Sequence, residues 1–172
     1  KVLQAINPVF PQTPAPLHYC ADTKVIGVPF YLMQKVEGLI LRKQMPKGMP
    51  PSGDSYSRIV KAMTVTLSHL HQLDYKAAGL FDLGKPEGYI QRQITGWTKR
   101  YLAVLTDDPP EVRQLISRLQ AHTLPPVHPA LIHNDYKLDN IVINPNDWGK
   151  IRALLDWEMA TLGDQFMDLG TT

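Results

Sequence analysis

The run Leu131-Ile-His-Asn-Asp-Tyr-Lys-Leu-Asp-Asn-Ile-Val-Ile143 sets His133, Asp135, Lys137 and Asn140 at short intervals, and Leu154-Leu-Asp-Trp-Glu158 then adds Asp156 and Glu158. These residue types suit phosphoryl transfer. One carboxylate is needed to orient and deprotonate an acceptor hydroxyl, while an amide oxygen and a second carboxylate hold Mg²⁺ on the nucleotide phosphates. Asp135, Asn140 and Asp156 are those groups in that order, so the implied cofactor is Mg²⁺ and the implied co-substrate ATP. Lys137 is either a cation that neutralises the moving phosphoryl group or a solvated loop lysine. His133 reads as structural, fixing the loop through backbone hydrogen bonds. Glu158 stays open between a contact near metal or substrate and plain exposure.

Elements on both sides must hold these groups. Short strands are expected at Ile141–Asn144 and Ile151–Leu155, around a turn at Asn144–Gly149. Upstream lies a mostly helical body. Ser52 or Asp54 can cap a helix running to about Leu73, with Ile59, Ala62, Met63, Leu67 and Leu70 on one face. Glu87–Leu105 fits a second helix carrying Ile90, Ile94, Trp97, Tyr101 and Leu105. Pro109-Pro110 opens a third, Glu111 to about His122, which Pro125, Pro126 and Pro129 end. Leu39–Pro51, with three prolines, reads as a loop. Before it, Leu17–Ala21 and Pro29–Val36 read as two strands of a hairpin turning at Asp22–Gly27. Pro8, Pro11, Pro14 and Pro16 keep the preceding stretch extended.

Composition narrows the class. A chain of 172 residues with 44% hydrophobic and 20% charged residues suits one globular domain, or the larger part of a two-lobed one. A net charge of +2 is too small to signal nucleic-acid binding. No apolar stretch approaches the ~18 residues of a membrane span. The single cysteine, Cys20, cannot form an internal disulfide, so a reducing, cytoplasmic setting is the default.

The loop His133-Asn-Asp-Tyr-Lys-Leu-Asp-Asn140 resembles the H-x-D-x-x-x-x-N loop of aminoglycoside phosphotransferases, choline kinases and, more distantly, protein kinases. Leu155-Asp-Trp-Glu158 stands where those proteins carry a metal-binding aspartate. Pro29–Gly38, Gln91-x-x-x-x-x-Trp97-x-x-x-Tyr101 and Ala160–Gly170 are similar to the branch whose kinase-like domain is fused to acyl-CoA dehydrogenases. The resemblance implies an α+β, protein-kinase-like two-lobed fold. Residues 1–38 would be a partial β-rich amino-terminal lobe with the hinge strand, and 39–172 a helical carboxy-terminal lobe, incomplete at its end. It implies that Asp168 holds the backbone of the catalytic loop, with direct metal ligation as the alternative. It also implies adenine contacts from the main chain of Gln34, Lys35 and Val36, unless that stretch is a plain core strand. Lys1–Ile6 is similar to the tail of a helix that follows the phosphate loop and the ATP-binding lysine strand. The chain is therefore expected to be a fragment lacking that front, with little activity by itself.

The acceptor is less legible. Arg92, Trp97, Arg100 and Tyr101 on the second helix are candidate substrate contacts, and the two arginines could meet an anion or form surface salt bridges. Residues 87–122 offer Glu87, Asp107, Asp108 and Glu111 against Arg92, Lys99, Arg100, Arg113 and Arg118, which argues against a polycationic antibiotic. The resemblance instead implies a hydroxylated acid or hydroxyacyl-CoA. An aminoglycoside or amino-alcohol kinase, and a catalytically inactive binding module, are the alternatives.

Overall fold

A computed structural model describes residues 1–42, 53–122 and 128–172. The expected loop over 43–51, the cap at Ser52 and the prolines 125 and 126 lie outside the described residues. A short helix α1 (Val2–Ile6) buries Leu3 and Ile6, and Phe10 follows it into the core. The proline-rich stretch then leads into the hairpin of β1 (Pro16–Cys20) and β2 (Phe30–Met33). The second strand stops short of the expected Val36. Opposite it run Pro14, Ala15 and Pro16, and proline has no N–H to continue the ladder; the last bond is Gln34 N–H to Ala15 O, at 2.8 Å.

Gly38 brings the chain onto the carboxy-terminal part. A Cβ there would lie 2.5 Å from Val142 and 2.7 Å from Ile143 O, so only glycine permits the approach. Leu39 then exchanges two backbone hydrogen bonds with Ile143, at 2.9 and 2.7 Å. Arg152 Nη1 donates to Glu37 O at 2.7 Å and fastens the same crossing.

Helix α2 (Gly53–His71) buries Ile59, Met63, Thr66, Leu67 and Leu70. Its apolar face is the one the three- and four-residue spacing gives, except that Ala62 is only partly covered and Thr66 joins it. Helix α3 (Tyr89–Ala103) and α4 (Pro110–Ala121) pack on each other, and of their residues only Tyr89 is nearly buried. Strand β3 (Ala130–Ile132) follows, then the loop that carries Asp135, β4 (Ile141–Asn144) and β5 (Asp147–Leu154). Strand β6 (Thr161–Gly163) and α5 (Phe166–Thr171) complete the order.

Pairs β4–β5 and β3–β6 are both antiparallel and frame the loop from two sides. The β4–β5 turn is tighter than expected, with Asn144 opposite Asp147, so β5 starts four residues before Ile151. The β3–β6 pair was not apparent in the sequence, because three-residue strands lack a readable alternation. The core lies between α2 and these pairs, with Leu131, Ile132, Ile141 and Leu154 at 0% exposure. No described helix is long and apolar enough to cross a membrane.

Candidate active site

The loop between β3 and β4 presents Asp135 at its turn. Asn134, just before it, has φ +63°, a left-handed backbone that asparagine tolerates better than most residues. The Asp135 carboxylate is gripped from two sides. Lys137 Nζ lies 2.8 Å from each of its oxygens, and Asn140 Nδ2 donates to Oδ2 at 2.7 Å and to Asp135 O at 2.9 Å. The Lys137 ammonium, helped by Asn140, holds the Asp135 carboxyl below the usual carboxylate range. The same pairing raises Lys137.

Because the Asn140 NH₂ is committed to Asp135, its carbonyl oxygen remains as an acceptor. Asn140 is also tied to the strand that delivers Asp156, since Leu155 N–H donates to Asn140 O at 2.8 Å. Asp156 is exposed at the end of that strand with φ +65°, a second left-handed non-glycine residue. Oxygen donors of this kind, one neutral and one ionised, match Mg²⁺, which takes few protein ligands and completes its shell with phosphates and water. Among the described residues there is no cluster of three His, Cys, Asp or Glu side chains that would make a closed protein-only cage.

Behind the loop stands Asp168, at 0% exposure. Its Oδ2 accepts from His133 N–H at 2.9 Å and contacts His71 Nε2 at 2.8 Å, while Oδ1 accepts from Asn134 N–H at 2.6 Å. Every donor it takes belongs to the loop or to the end of α2; none belongs to a metal position. His133 is buried against Trp157, ring centroids 4.9 Å apart. Its Nδ1 accepts from Asp135 N–H at 3.3 Å, so Nε2 carries the proton and donates to Leu155 O at 2.9 Å. Burial lowers the His133 pKa below the ordinary value. The histidine thereby links the loop before Asp135 to the strand before Asp156. Asp164 accepts from Phe166 N–H at 2.9 Å, at the start of α5.

A cleft of about 860 Å³ opens beside Asp156, Trp157 and Glu158, bounded by α1 and by His18, Tyr19 and Tyr31 of the hairpin. Gln34, Lys35 and Val36 do not line it. The Gln34 N–H is already bonded to Ala15, and Lys35 pairs with Glu37 at 2.7 Å in solvent. The bond to Ala15 takes up the Gln34 N–H in the hairpin, so its carbonyl is the main-chain group left for the contact expected there.

The substrate candidates on α3 are likewise dispersed. The Arg92 guanidinium donates to the carbonyls of Lys85 and Glu87, so it clamps the turn before its own helix. Arg100 stacks over Trp97 at 4.8 Å. The two arginines thus have separate partners, and neither forms a salt bridge among the described residues. Trp97 and Tyr101 instead line an apolar groove of about 290 Å³ between α3 and α4. Three residues absent from the sequence reading, His71, Tyr89 and Asn134, take part in the loop's support. Only Asn134 left a signal, as a residue type that accepts left-handed backbone directly before an aspartate.

Comparisons with known proteins bear on the family and the fold. Residues 1–172 match the phosphotransferase enzyme family. Acyl-CoA dehydrogenase family member 11 of Homo sapiens is 39% identical over 171 residues, covering 98% of this chain and 21% of that protein. Acyl-CoA dehydrogenase family member 10 of Mus musculus is 36% identical over 169 residues, 98% of this chain and 16% of that protein. The chain therefore spans about a fifth or less of these relatives. A crystal structure assigned as an aminoglycoside phosphotransferase from Ralstonia eutropha JMP134 superposes with a TM-score of 0.86 at 35% identity, covering 98% of this chain and 51% of that one. The GDP complex of aminoglycoside 2'-phosphotransferase-IIIa shares the fold at a TM-score of 0.69 and 18% identity, over 95% of this chain and 57% of that one. The α+β, kinase-like fold class is the one these structures carry.

Proposed function

The chain belongs to the phosphotransferase enzyme family, and from that premise we propose that it transfers the γ-phosphoryl group of ATP to a hydroxyl of a small molecule. Residues 1–38 would serve as part of the nucleotide lobe and 39–172 as the acceptor lobe. The observation that carries the reading is the Asp135 carboxylate held between Lys137 and Asn140, with Asn140 tied to the strand that ends in Asp156.

Asp135 accepts a hydrogen bond from the acceptor hydroxyl and points its lone pair at the phosphorus. With its pKa lowered, it is a weak proton acceptor before reaction, so orientation is its main contribution. The proton passes to it as the new P–O bond forms and the bond from the γ-phosphorus to the bridging oxygen breaks, releasing ADP. Lys137 stabilises charge developing on the transferred group once the hydroxyl takes its place against Asp135. Asn140 and Asp156 would hold Mg²⁺, which supplies positive charge to the phosphates. Glu158, next to Asp156 on the cleft wall, is a candidate contact to the bound nucleotide or its water. His133 and Asp168 position the loop and touch no substrate.

For the acceptor, the relatives are named as acyl-CoA dehydrogenase family members, and the apolar groove beside Trp97 and Tyr101 suits an acyl group better than a polyamine. A hydroxy acid or hydroxyacyl-CoA is the substrate class this supports. One neighbour carries GDP, so GTP stands beside ATP as a donor to compare. The test is ADP or GDP release by the intact protein with Mg²⁺ and a panel of hydroxy acids, hydroxyacyl-CoAs, choline and aminoglycosides. Release driven by a hydroxyacyl compound supports the reading, release driven only by an amine redirects the acceptor, and Mg-ATP binding without any release would leave a binding module.

A further inference from the structure

The first turn of α3 is anchored to the catalytic loop through one residue. Tyr89 is nearly buried, and its hydroxyl donates to Asn134 Oδ1 at 3.2 Å. Asn134 uses the rest of its side chain in the opposite direction, donating from Nδ2 to Met159 O at 3.0 Å. Its own N–H goes to Asp168. The left-handed residue that delivers Asp135 is thereby fixed from three sides: by α3, by the turn that follows Asp156, and by α5.

Space for the tyrosine ring is made by a glycine. A Cβ at Gly163 would lie 3.0 and 3.1 Å from the Tyr89 ring and 2.7 Å from Ile132 Cδ1. The ring rests on the β3–β6 pair with Ala130 and Ile132, and Met167 of α5 closes its side. Burial raises the Tyr89 pKa, so the phenol stays protonated and keeps its donor at neutral pH.

On the phosphotransferase reading above, we propose that Tyr89 is a positioning residue that couples helix α3 to the base. It acts through Asn134, setting the turn that aims Asp135, so that an acceptor seated on α3 and the carboxylate that must meet its hydroxyl are held in one frame. Gly163 belongs to the same device, as the notch that admits the ring.

Tyr89→Phe removes one hydroxyl and keeps the packing, while Gly163→Ala pushes the ring off its seat. Both variants are expected to lower kcat with the acceptor by about 3- to 10-fold, the size of one lost hydrogen bond at a positioned group, and to leave the Kd for Mg-ATP unchanged. Tyr89→Phe combined with Asn134→Ala should fall no further than Asn134→Ala alone. A merely structural tyrosine would lower the melting temperature and leave kcat untouched. Amide hydrogen exchange at residues 133–135, against exchange in β4 and β5 of the same samples, supplies a readout independent of turnover. It should speed up in both variants at the loop only. Wild-type kcat with wild-type loop exchange in Tyr89→Phe would overturn the coupling. If the wild-type protein turns over no acceptor, the phosphotransferase reading falls, and the exchange experiment still decides whether Tyr89 holds the loop.

Discussion

The loop that carries Asp135 and the β1–β2 hairpin are built on opposite principles. Around the loop no buried side-chain nitrogen or oxygen of the described residues lacks a partner: Asp168 takes donors from His133, Asn134 and His71, and Leu131 and Ile132 lead into the turn fully buried. The hairpin is held by its backbone ladder, while Tyr19 and Leu32 stand 60% and 51% exposed. Groups that must aim at a reacting atom within fractions of an ångström sit on the over-determined side. The hairpin bounds one wall of the cleft proposed to take the nucleotide, a duty that main-chain shape can fulfil with less packing.

The contrast is open to attack in order of expected effect. Asp168→Ala leaves buried loop donors without an acceptor and should cost about 3 kcal/mol or more; a urea midpoint close to wild type would mean the loop is not held from behind. Leu131→Ala should cost about 2–5 kcal/mol, against about 0.5 or less for Leu32→Ala in the hairpin. Equal losses would erase the distinction.

Protons give a subtler probe. Burial keeps His133 neutral in the fold, so the unfolded chain binds the extra proton more readily. Its contribution to stability is therefore complete above about pH 6.5, declines as pH falls below that ordinary value, and levels off beneath the lowered folded one. Unfolding curves at pH 7.5 and 5.5 should converge toward each other in His133→Gln; an unchanged pH slope would place the titration elsewhere. At the weak end, Lys35→Gln breaks an ion pair that lies wholly in solvent and should leave the unfolding midpoint where it was.

Much of the loop was legible because its chemistry sits in one continuous run. Asp135, Lys137 and Asn140 are brought together within a few residues, and the apolar segments beside them read as the strands that carry them. The α2 face was equally readable from spacing alone. What stayed hidden was contact across distance. Nothing in Leu70-His-Gln-Leu73 marks His71 as the partner of Asp168, and no pattern joins Tyr89 to Asn134. The partners of Arg92 were hidden for a related reason, since the backbone carbonyls at Lys85 and Glu87 that take its donors are not displayed by a sequence. The end of β2 at Met33 is set by prolines on the facing strand, a constraint that lies outside the residues of β2 itself.

In the proposed mechanism Asp135 orients the hydroxyl that attacks the nucleotide while Asn140 and Asp156 would hold the metal. The most direct measurement is turnover by Asp135→Asn beside its affinity for Mg-ATP, with Asp156→Ala as the companion variant. Asp135→Asn should lose about 10²-fold or more in kcat while binding Mg-ATP as wild type does, and Asp156→Ala should lose Mg-ATP affinity itself. Wild-type turnover in Asp135→Asn, or undiminished Mg-ATP binding in Asp156→Ala, would contradict the assignment.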